Sequence, residues 1–586
     1  MKFDIYNLTD ETITVSSSRD EAAAFVYLQP QKPSSAPQGT RKRLYLHRST
    51  PGARTVSSVS SQQLKLQATY EIQLPGAWTR RKGSWKHLAV AEDCPWRIYT
   101  HSAAQALVVL PNRNVSSFLA DMPNSMPLSS LLLPGTHETM AFYGWPISQC
   151  QEESTPLSAQ LLAGIRVLDI RLAAVPVSNQ FATFPTLSAS PGGTPEPQPT
   201  AAAPELKLIA YHGIFPMRTP FATILSTIHT FLTSPAGKSE TVVMSFKQED
   251  FAVTGHDVWC RLLREEIMNG PGGFKNKDPR TGKRDTGMWF LENRIPKLGE
   301  VRGKVVMFSR FYGDVDNWEG GYEGMGIHPT TWPNSEKRGF VWDLKGTTVR
   351  THDWYAIPSF LEIPEKVSLS TAVLYPNMHI PLNFPISQPP DVVPPGPQLN
   401  ITFLSAAGFP LALPPAIAKG FGWPAWHLGI EGVNSRVARW LIEEFVPDLQ
   451  SIPKPQLQAR ARANTKVNTA TKDGPVDPDQ VYAQKSKLNL RFRFSRTARH
   501  VEEDEQKIIA AVDNGAAKDG GVPTVVDGAD VNNSNGETQV LPALTAASRR
   551  LRGWVMLDYY ASDPGLVPLL IECNYRARRS GEEGWP

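Results

Sequence analysis

Only four cysteines occur in the 586 residues, Cys94, Cys150, Cys260 and Cys573, and their wide scatter suggests neither a zinc site nor a disulfide framework. Buried free thiols are the expectation. An excess of charge of one sign is also missing, because 60 Lys and Arg against 56 Asp and Glu leave a formal net charge of +4. No global field would therefore hold the chain on nucleic acid. No segment reaches the roughly 18 to 20 uninterrupted apolar residues that a membrane span needs. Asp4, Asp10 and Glu11 break up the N-terminal stretch where a secretory signal would be apolar. These absences point to a cytoplasmic monomer that meets lipid, if at all, from the surface.

What is present is a 41% apolar fraction, enough for a large core, together with 51 prolines and 42 glycines that imply much loop. The length suits two domains with insertions. Over residues 1–123, short alternating runs at 2–6, 12–16, 43–47, 64–72 and 106–110, separated by Pro, Ser and Gly turns, predict an antiparallel all-β sandwich. Over 124–586 the rhythm changes to short apolar strands followed by amphipathic stretches, which predicts an α/β fold with a parallel sheet or barrel. Candidate strands lie at 130–133, 167–172, 208–212, 241–246, 305–309, 348–351, 401–405 and 555–559, the eight that a (β/α)8 TIM-like barrel requires. Insertions at 176–204, rich in Pro, Ser, Thr and Ala, and at 453–548, rich in Asn, Asp and Gly, read as solvated loops.

In a parallel barrel the active site lies at the C-terminal ends of the strands. The residues that end the candidate strands are His137-Glu138, Asp169 and Arg171, Tyr211-His212, Lys247 to Glu249, Arg310, His352 to Tyr355, and Asp558. Two histidines that titrate near neutrality can give and take a proton, and arginine offers a planar fork to phosphate oxygens. The substrate this inventory suggests is a phosphodiester.

At these residues the chain becomes recognisable. LLLPGTHETMAFYG, a Cys150-Gln151 pair, QLLAGIR, VLDIRL, YHG and TVVMSFKQED resemble, in order and spacing, the X region of phosphatidylinositol-specific phospholipase C. The likeness continues through RGKVVMFSRF, HPTTWPN, THDWY, NITFLSA, GVNSRVARWL and GWVMLDYY. The family has a calcium-dependent eukaryotic type and a metal-free bacterial type. Here Glu138 follows the first histidine, and Arg171 stands where a second acidic ligand would be. The sequence thus resembles the bacterial type, with no metal or cofactor.

The resemblance implies that His137 is the general base on the inositol 2-hydroxyl, that Asp558 fixes its tautomer, and that His212 protonates the departing diacylglycerol oxygen. Arg171 would neutralise charge on the non-bridging oxygens. It also implies that Lys247, Glu249, Arg310 and Asp353 read the inositol hydroxyls with Tyr355 beneath the ring, and that the first product is an inositol 1,2-cyclic phosphate. The family usually has aspartate at the position of Glu138, so an altered rate is implied there. A silent barrel that binds inositol lipid is the competing expectation.

Two further segments invite a membrane reading. FPLALPPAIAKGFGWPAW hangs from the rim after the seventh strand and would dip Phe421, Trp423 and Trp426 into the interface, or else pack as a lid. KSKLNLRFRFSRTARH interleaves basic residues with Phe492 and Phe494, as an anionic-lipid ribbon or a solvated strand face would.

Overall fold

The computed structural model describes residues 3–19, 25–37, 43–49, 66–74, 84–101, 104–177, 205–249, 254–273, 287–311, 324–375, 397–408, 412–423, 429–447, 449 and 551–579. Most of the 176–204 insertion, all of 453–548 with its basic ribbon, and Trp426 lie outside the described residues. Residues 1–453 and 544–586 form one compact unit.

The N-terminal strands are β1 (Asp4–Asn7), β2 (Ile13–Ser16), β3 (Val26–Leu28), β4 (Pro33–Ser35), β5 (Arg43–Ser49), β6 (Leu66–Gln73), β7 (Trp85–Leu88), β8 (Trp96–His101) and β9 (Ala106–Pro111). They make two sheets, ordered β4-β1-β9-β8-β7 and β3-β2-β5-β6. Alternation along the strands sends Ile5, Ile13, Val15, Leu44, Leu46, Ile98 and Leu107 into one shared core. The opposite face of β8 and β9, with Tyr99, Val108 and Leu110, joins the main core of the molecule. The expected antiparallel order is interrupted once, because β1 pairs with β9 in parallel. Periodicity reports a strand but not its direction.

The larger sheet is built from β10 (Leu132–Thr136), β11 (Val167–Pro176), β12 (Leu206–His212), β13 (Phe215–Pro220), β14 (Thr241–Gln248), β15 (Trp289–Phe290), β16 (Lys304–Ser309), β17 (Phe340–Leu344), β18 (Thr347–His352) and β19 (Gln398–Phe403). After a two-residue pair, β20 (Gly420–Phe421) and β21 (Ile430–Glu431), the chain returns to it as β22 (Gly553–Leu557). The order is β15-β16-β14-β11-β10-β22-β19-β18-β17, parallel from β15 to β18, with β17 antiparallel at the edge. Strands buried on both faces read as continuous apolar runs, as LLPGT in β10 and GWVML in β22 do.

Helices α1 (Leu157–Leu162), α2 (Phe221–Thr233), α3 (His256–Asn269), α4 (Leu298–Val301), α5 (Ile363–Ala372), α6 (Pro414–Lys419), α7 (Val433–Phe445) and α8 (Leu566–Arg579) complete the mixed α/β fold. In α2 the buried set Phe221, Ile224, Leu225, Ile228, Phe231 and Leu232 follows the 3.6-residue period of a helix laid on a sheet. In α7 Val433, Val437, Leu441 and Phe445 do the same.

The sheet differs from the expected eight-stave ring in two ways. All eight anticipated strands form, but the third, β12, runs antiparallel to the outer half of the ten-residue β11, from Leu172↔Ala210 to Pro176↔Leu206. The inner half of β11 pairs directly with β14. Second, among the described residues no ladder joins the β15–β16 side to the β17–β18 side, so the curled sheet is open there.

Candidate active site

Strand register brings the charged residues together. Thr136 of β10 lies opposite Leu557 of β22, so the next residues, His137 and Asp558, emerge side by side. The His137 amide donates to the Leu557 carbonyl at 3.0 Å. On the other flank Thr136 lies opposite Leu168, which places Asp169 beside His137. Arg171 pairs with Lys247 across β11 and β14, and Phe246 with Ser309, so Arg310 follows next to Lys247.

The chain turns sharply just past both central strands. Glu138 and Tyr559 have φ of 44° and 46°, left-handed values that non-glycine residues rarely adopt and that functional sites often hold. Their neighbours compensate: the Glu138 amide donates to Asp169 Oδ2 (3.2 Å) and the Tyr559 amide to the Cys150 carbonyl (2.8 Å). Gln151 pins both strand ends, donating from Nε2 to the carbonyls of His137 (2.8 Å) and Leu557 (2.9 Å).

The side chains form one unbroken polar series. Asp558 Oδ1 lies 2.9 Å from His137 Nδ1, and Arg171 Nη2 lies 3.0 Å from His137 Nε2. Arg171 Nη1 ion-pairs with Glu138 Oε1, which in turn stands 3.7 Å from His212 Nε2. His212 closes the series with Nδ1 at 2.7 Å from the Ser148 carbonyl, an acceptor that fixes Nδ1–H as a donor. Both Nε2 atoms therefore face the same guanidinium–carboxylate pair. Arg171 also bonds Asp169 (3.2 Å) and Glu249 (3.2 Å), and Glu249 bonds Lys247 (3.2 Å). Arg310 meets Asp169 at 3.4 Å and Asp353 at 3.8 Å and lies 4.0 Å over the Trp332 ring, whose Nε1–H donates to Asp353 (2.9 Å).

Burial makes these charges interact strongly. Burial works against a charged His137, but Asp558 outweighs it and holds the imidazole above its ordinary value. Burial raises Glu138 in spite of Arg171 and both histidines. Asp169 moves the other way: burial is overcome by Arg171 and Arg310, and the carboxyl is held far below the usual range. Glu249 is lowered as Lys247 and Arg171 outweigh its burial. Arg171, though buried, is held well above its ordinary value by Glu138, Asp169 and Glu249.

Among the described residues two groups hold ligand atoms within 4.8 Å of one another, His137 with Glu138 and Asp169, and His137 with Cys150 and Asp558. The Arg171 guanidinium contacts His137, Glu138 and Asp169 of the first group, so it already supplies that group with positive charge.

Nine of the ten residues picked out from the sequence thus share one network: His137, His212, Arg171, Asp558, Glu138, Lys247, Glu249, Arg310 and Asp353. Tyr355, on the loop after β18, has its hydroxyl bonded to Asn334 and its ring 39% exposed. Asp169 and Gln151 were noted in the sequence and Trp332 lies in a quoted motif, but none of the three, nor Ser148, was given a role there. Asp169 had the plainest signal, since it sits two residues before Arg171 and therefore on the same strand face. Lys366 of α5 was also missed. It is buried, donates to the Trp354 carbonyl at 2.6 Å and so braces the segment that carries Asp353; burial brings its amine down to about 7.

Exposed apolar side chains occur on two loops of the strand-end face, Trp145 (72%) and Ile147 (51%) after β10, and Phe421 (59%) after β19. Trp423 is half-buried. No helix among the described residues is long and apolar enough to cross a membrane. A cleft of about 320 Å³ lined by Glu153, Leu157, Thr223, Ile224 and Thr227 contains none of the residues of this network.

Comparison with known proteins gives the following. No family model matches the chain. A 1-phosphatidylinositol phosphodiesterase of Listeria monocytogenes is 27% identical over 197 residues, 33% of this chain and 48% of the relative. The chain thus spans about half the length of this curated relative. Among solved structures, a phosphatidylinositol-specific phospholipase C of Staphylococcus aureus aligns at 16% identity with a TM-score of 0.38, covering 56% of this chain and 87% of that one. The Listeria monocytogenes phosphatidylinositol-specific phospholipase C aligns at 17% identity with a TM-score of 0.32, over 56% and 89%. The chain is homologous to bacterial phosphatidylinositol-specific phospholipase C.

Proposed function

We propose that the protein cleaves phosphatidylinositol-type lipids to diacylglycerol and inositol 1,2-cyclic phosphate by histidine–histidine acid–base catalysis without a metal. The observation that carries this reading is the continuous series Asp558–His137–Arg171–Glu138–His212, in which Nε2 of one imidazole meets the guanidinium and Nε2 of the other faces the carboxylate paired with it. Asp558 accepts from His137 Nδ1–H and leaves Nε2 unprotonated to take the inositol 2-hydroxyl proton. The resulting oxygen attacks phosphorus as the bond to the glycerol oxygen breaks. That oxygen takes its proton from His212 Nε2.

Arg171 turns from His137 to the non-bridging phosphate oxygens, and its positive charge does there what a divalent cation would otherwise do. Glu138 holds the guanidinium and the second imidazole in register. Lys247, Glu249, Arg310 and Asp353 bond the inositol hydroxyls, and Tyr355 lies under the ring. The exposed residues Phe421, Trp145 and Ile147, with Trp423 and Trp426, seat the strand-end face on a membrane, where aromatic side chains are favoured. Residues 1–123 act as a sandwich domain that shares core with a barrel-type catalytic domain over 124–586, itself interrupted by insertions at 176–204 and 453–548, and the protein works as a peripheral monomer.

One observation favours a second reading, a silent inositol-lipid binder. Arg171 is paired with three carboxylates, and phosphate has to displace some of them. Product analysis on phosphatidylinositol vesicles with chelator present separates the two. Release of cyclic inositol phosphate, reduced about 10²- to 10⁴-fold in His137→Ala, is expected. Stoichiometric binding without product would establish the silent reading, and activity abolished by chelator would establish a metal enzyme.

A further inference from the structure

Cys150 takes no part in the chemistry above, yet its thiol stands at the back of the catalytic pair. Sγ is buried, lies 3.9 Å from His212 Nδ1, and comes within 4.8 Å of an imidazole nitrogen of His137 and a carboxylate oxygen of Asp558. The backbone fixes it there from both sides: the Cys150 amide donates to the Ala141 carbonyl (2.9 Å), and its own carbonyl accepts from Tyr559 (2.8 Å). Gln151, the other half of the pair noted in the sequence, ties the same segment to the ends of β10 and β22.

We infer that Cys150, His137 and Asp558 form an inhibitory site for a thiophilic divalent cation such as Zn²⁺ or Cd²⁺. One sulfur, one imidazole nitrogen and one carboxylate oxygen are a donor set that zinc accepts and calcium, which takes oxygen ligands, does not. Thiolate and carboxylate together balance the two charges of the ion. Burial and the nearby Asp558 and Glu138 raise the free thiol well above its ordinary value, so the group is a protonated thiol until a metal displaces its proton to solvent. Zinc bonds of about 2.0 to 2.3 Å require the three atoms to close around the ion by side-chain rotation. His137, whose side chain is 14% exposed, is the ligand through which a water could reach the fourth position. An imidazole bound to metal at this site cannot serve as the general base.

Inhibition rests on the proposed function, whereas metal binding does not, and two arms keep them apart. In the first, the full chain stripped of metal is titrated with Co²⁺. A thiolate-to-cobalt absorption band is expected in the wild type and in Cys260→Ala, and its loss in Cys150→Ala or Cys150→Ser. Cys260 is the control because its thiol also has an imidazole nearby, His256 Nε2 at 3.5 Å. In the second arm, Zn²⁺ is expected to lower release of cyclic inositol phosphate at least about tenfold, reversibly with chelator. Cys150→Ala, active without metal, should be insensitive. A missing thiolate band, a band that survives in both Cys150 variants, or zinc inhibition undiminished in Cys150→Ala overturns the inference. If no turnover exists at all, the cobalt arm decides alone.

Discussion

Two arginines bracket the inner half of β11, and the contrast between them shows what separates a structural guanidinium from one proposed to act on phosphate. Arg166, just before the strand, bonds Glu240 at 2.8 Å and spends its remaining donors on the carbonyls of Leu161, Ile165 and Ser116 at 2.7 to 2.8 Å. It also lies over the rings of Phe118 and Phe231. Burial lowers its pKa, and no partner is replaceable. Arg171, five residues on, is 13% exposed and is surrounded by a surplus of carboxylates beside His137. One arginine ties chain segments together; the other is the one proposed to receive an anion.

Four experiments test that contrast. The largest expected effect is on stability: Arg166→Met leaves Glu240 buried without its partner and should cost about 3 to 5 kcal/mol in denaturant unfolding. Turnover per folded molecule should stay unchanged. Arg171→Lys keeps the charge but loses the fork, and should lower turnover by about 10²- to 10³-fold with little change in the unfolding midpoint. If the two variants exchanged these behaviours, the distinction would collapse.

The third effect is a pH dependence. His137 is held above the ordinary histidine value and must be neutral to accept a proton, so kcat/KM should rise with pH through a value above about 6.5. Asp558→Asn should move that limb to lower pH while reducing the rate. The same shift favours the folded state when His137 is charged, so its contribution to stability is full below the unfolded histidine value and fades as pH rises through the folded one. Asp169 has the opposite sign: its contribution holds above the unfolded aspartate value and disappears as pH falls through the depressed folded one. Unfolding free energies measured across pH check both signs. The smallest effect is expected from Glu138→Asp, a loss of less than about tenfold in turnover. That is below the roughly hundredfold that 1 Å of misplacement can cost, because Asp169 and Glu249 still hold Arg171.

Much of the site was legible in the sequence because strand ends carry it. His137, Arg171, Lys247, Arg310, Asp353 and Asp558 each stand at the close of an apolar run, and register does the rest. His212 was singled out for a partly mistaken reason: it ends a strand that runs antiparallel, and it joins the network from the hairpin of β12 and β13. Alternation along a chain encodes which face is buried, not which way the strand runs, and the parallel pairing of β1 with β9 was hidden for the same cause. Ser148 acts through a backbone carbonyl, which no side-chain pattern can advertise. Trp332 lies in an irregular stretch without period, so its stacking on Arg310 had no sequence trace.

The bond between His137 and Asp558 joins residues 421 positions apart, and β22, which delivers Asp558, enters the sheet between β10 and β19. A chain emerging from the ribosome therefore carries its proposed base, His137, long before Asp558 can orient it. The sheet stays divided into two halves until its last strand is inserted at the centre. Because the entropy of closing a loop grows only with the logarithm of its length, about 0.6 kcal/mol per doubling, the preceding connection can lengthen greatly at small thermodynamic expense. The orientation of His137 therefore waits on the insertion of β22.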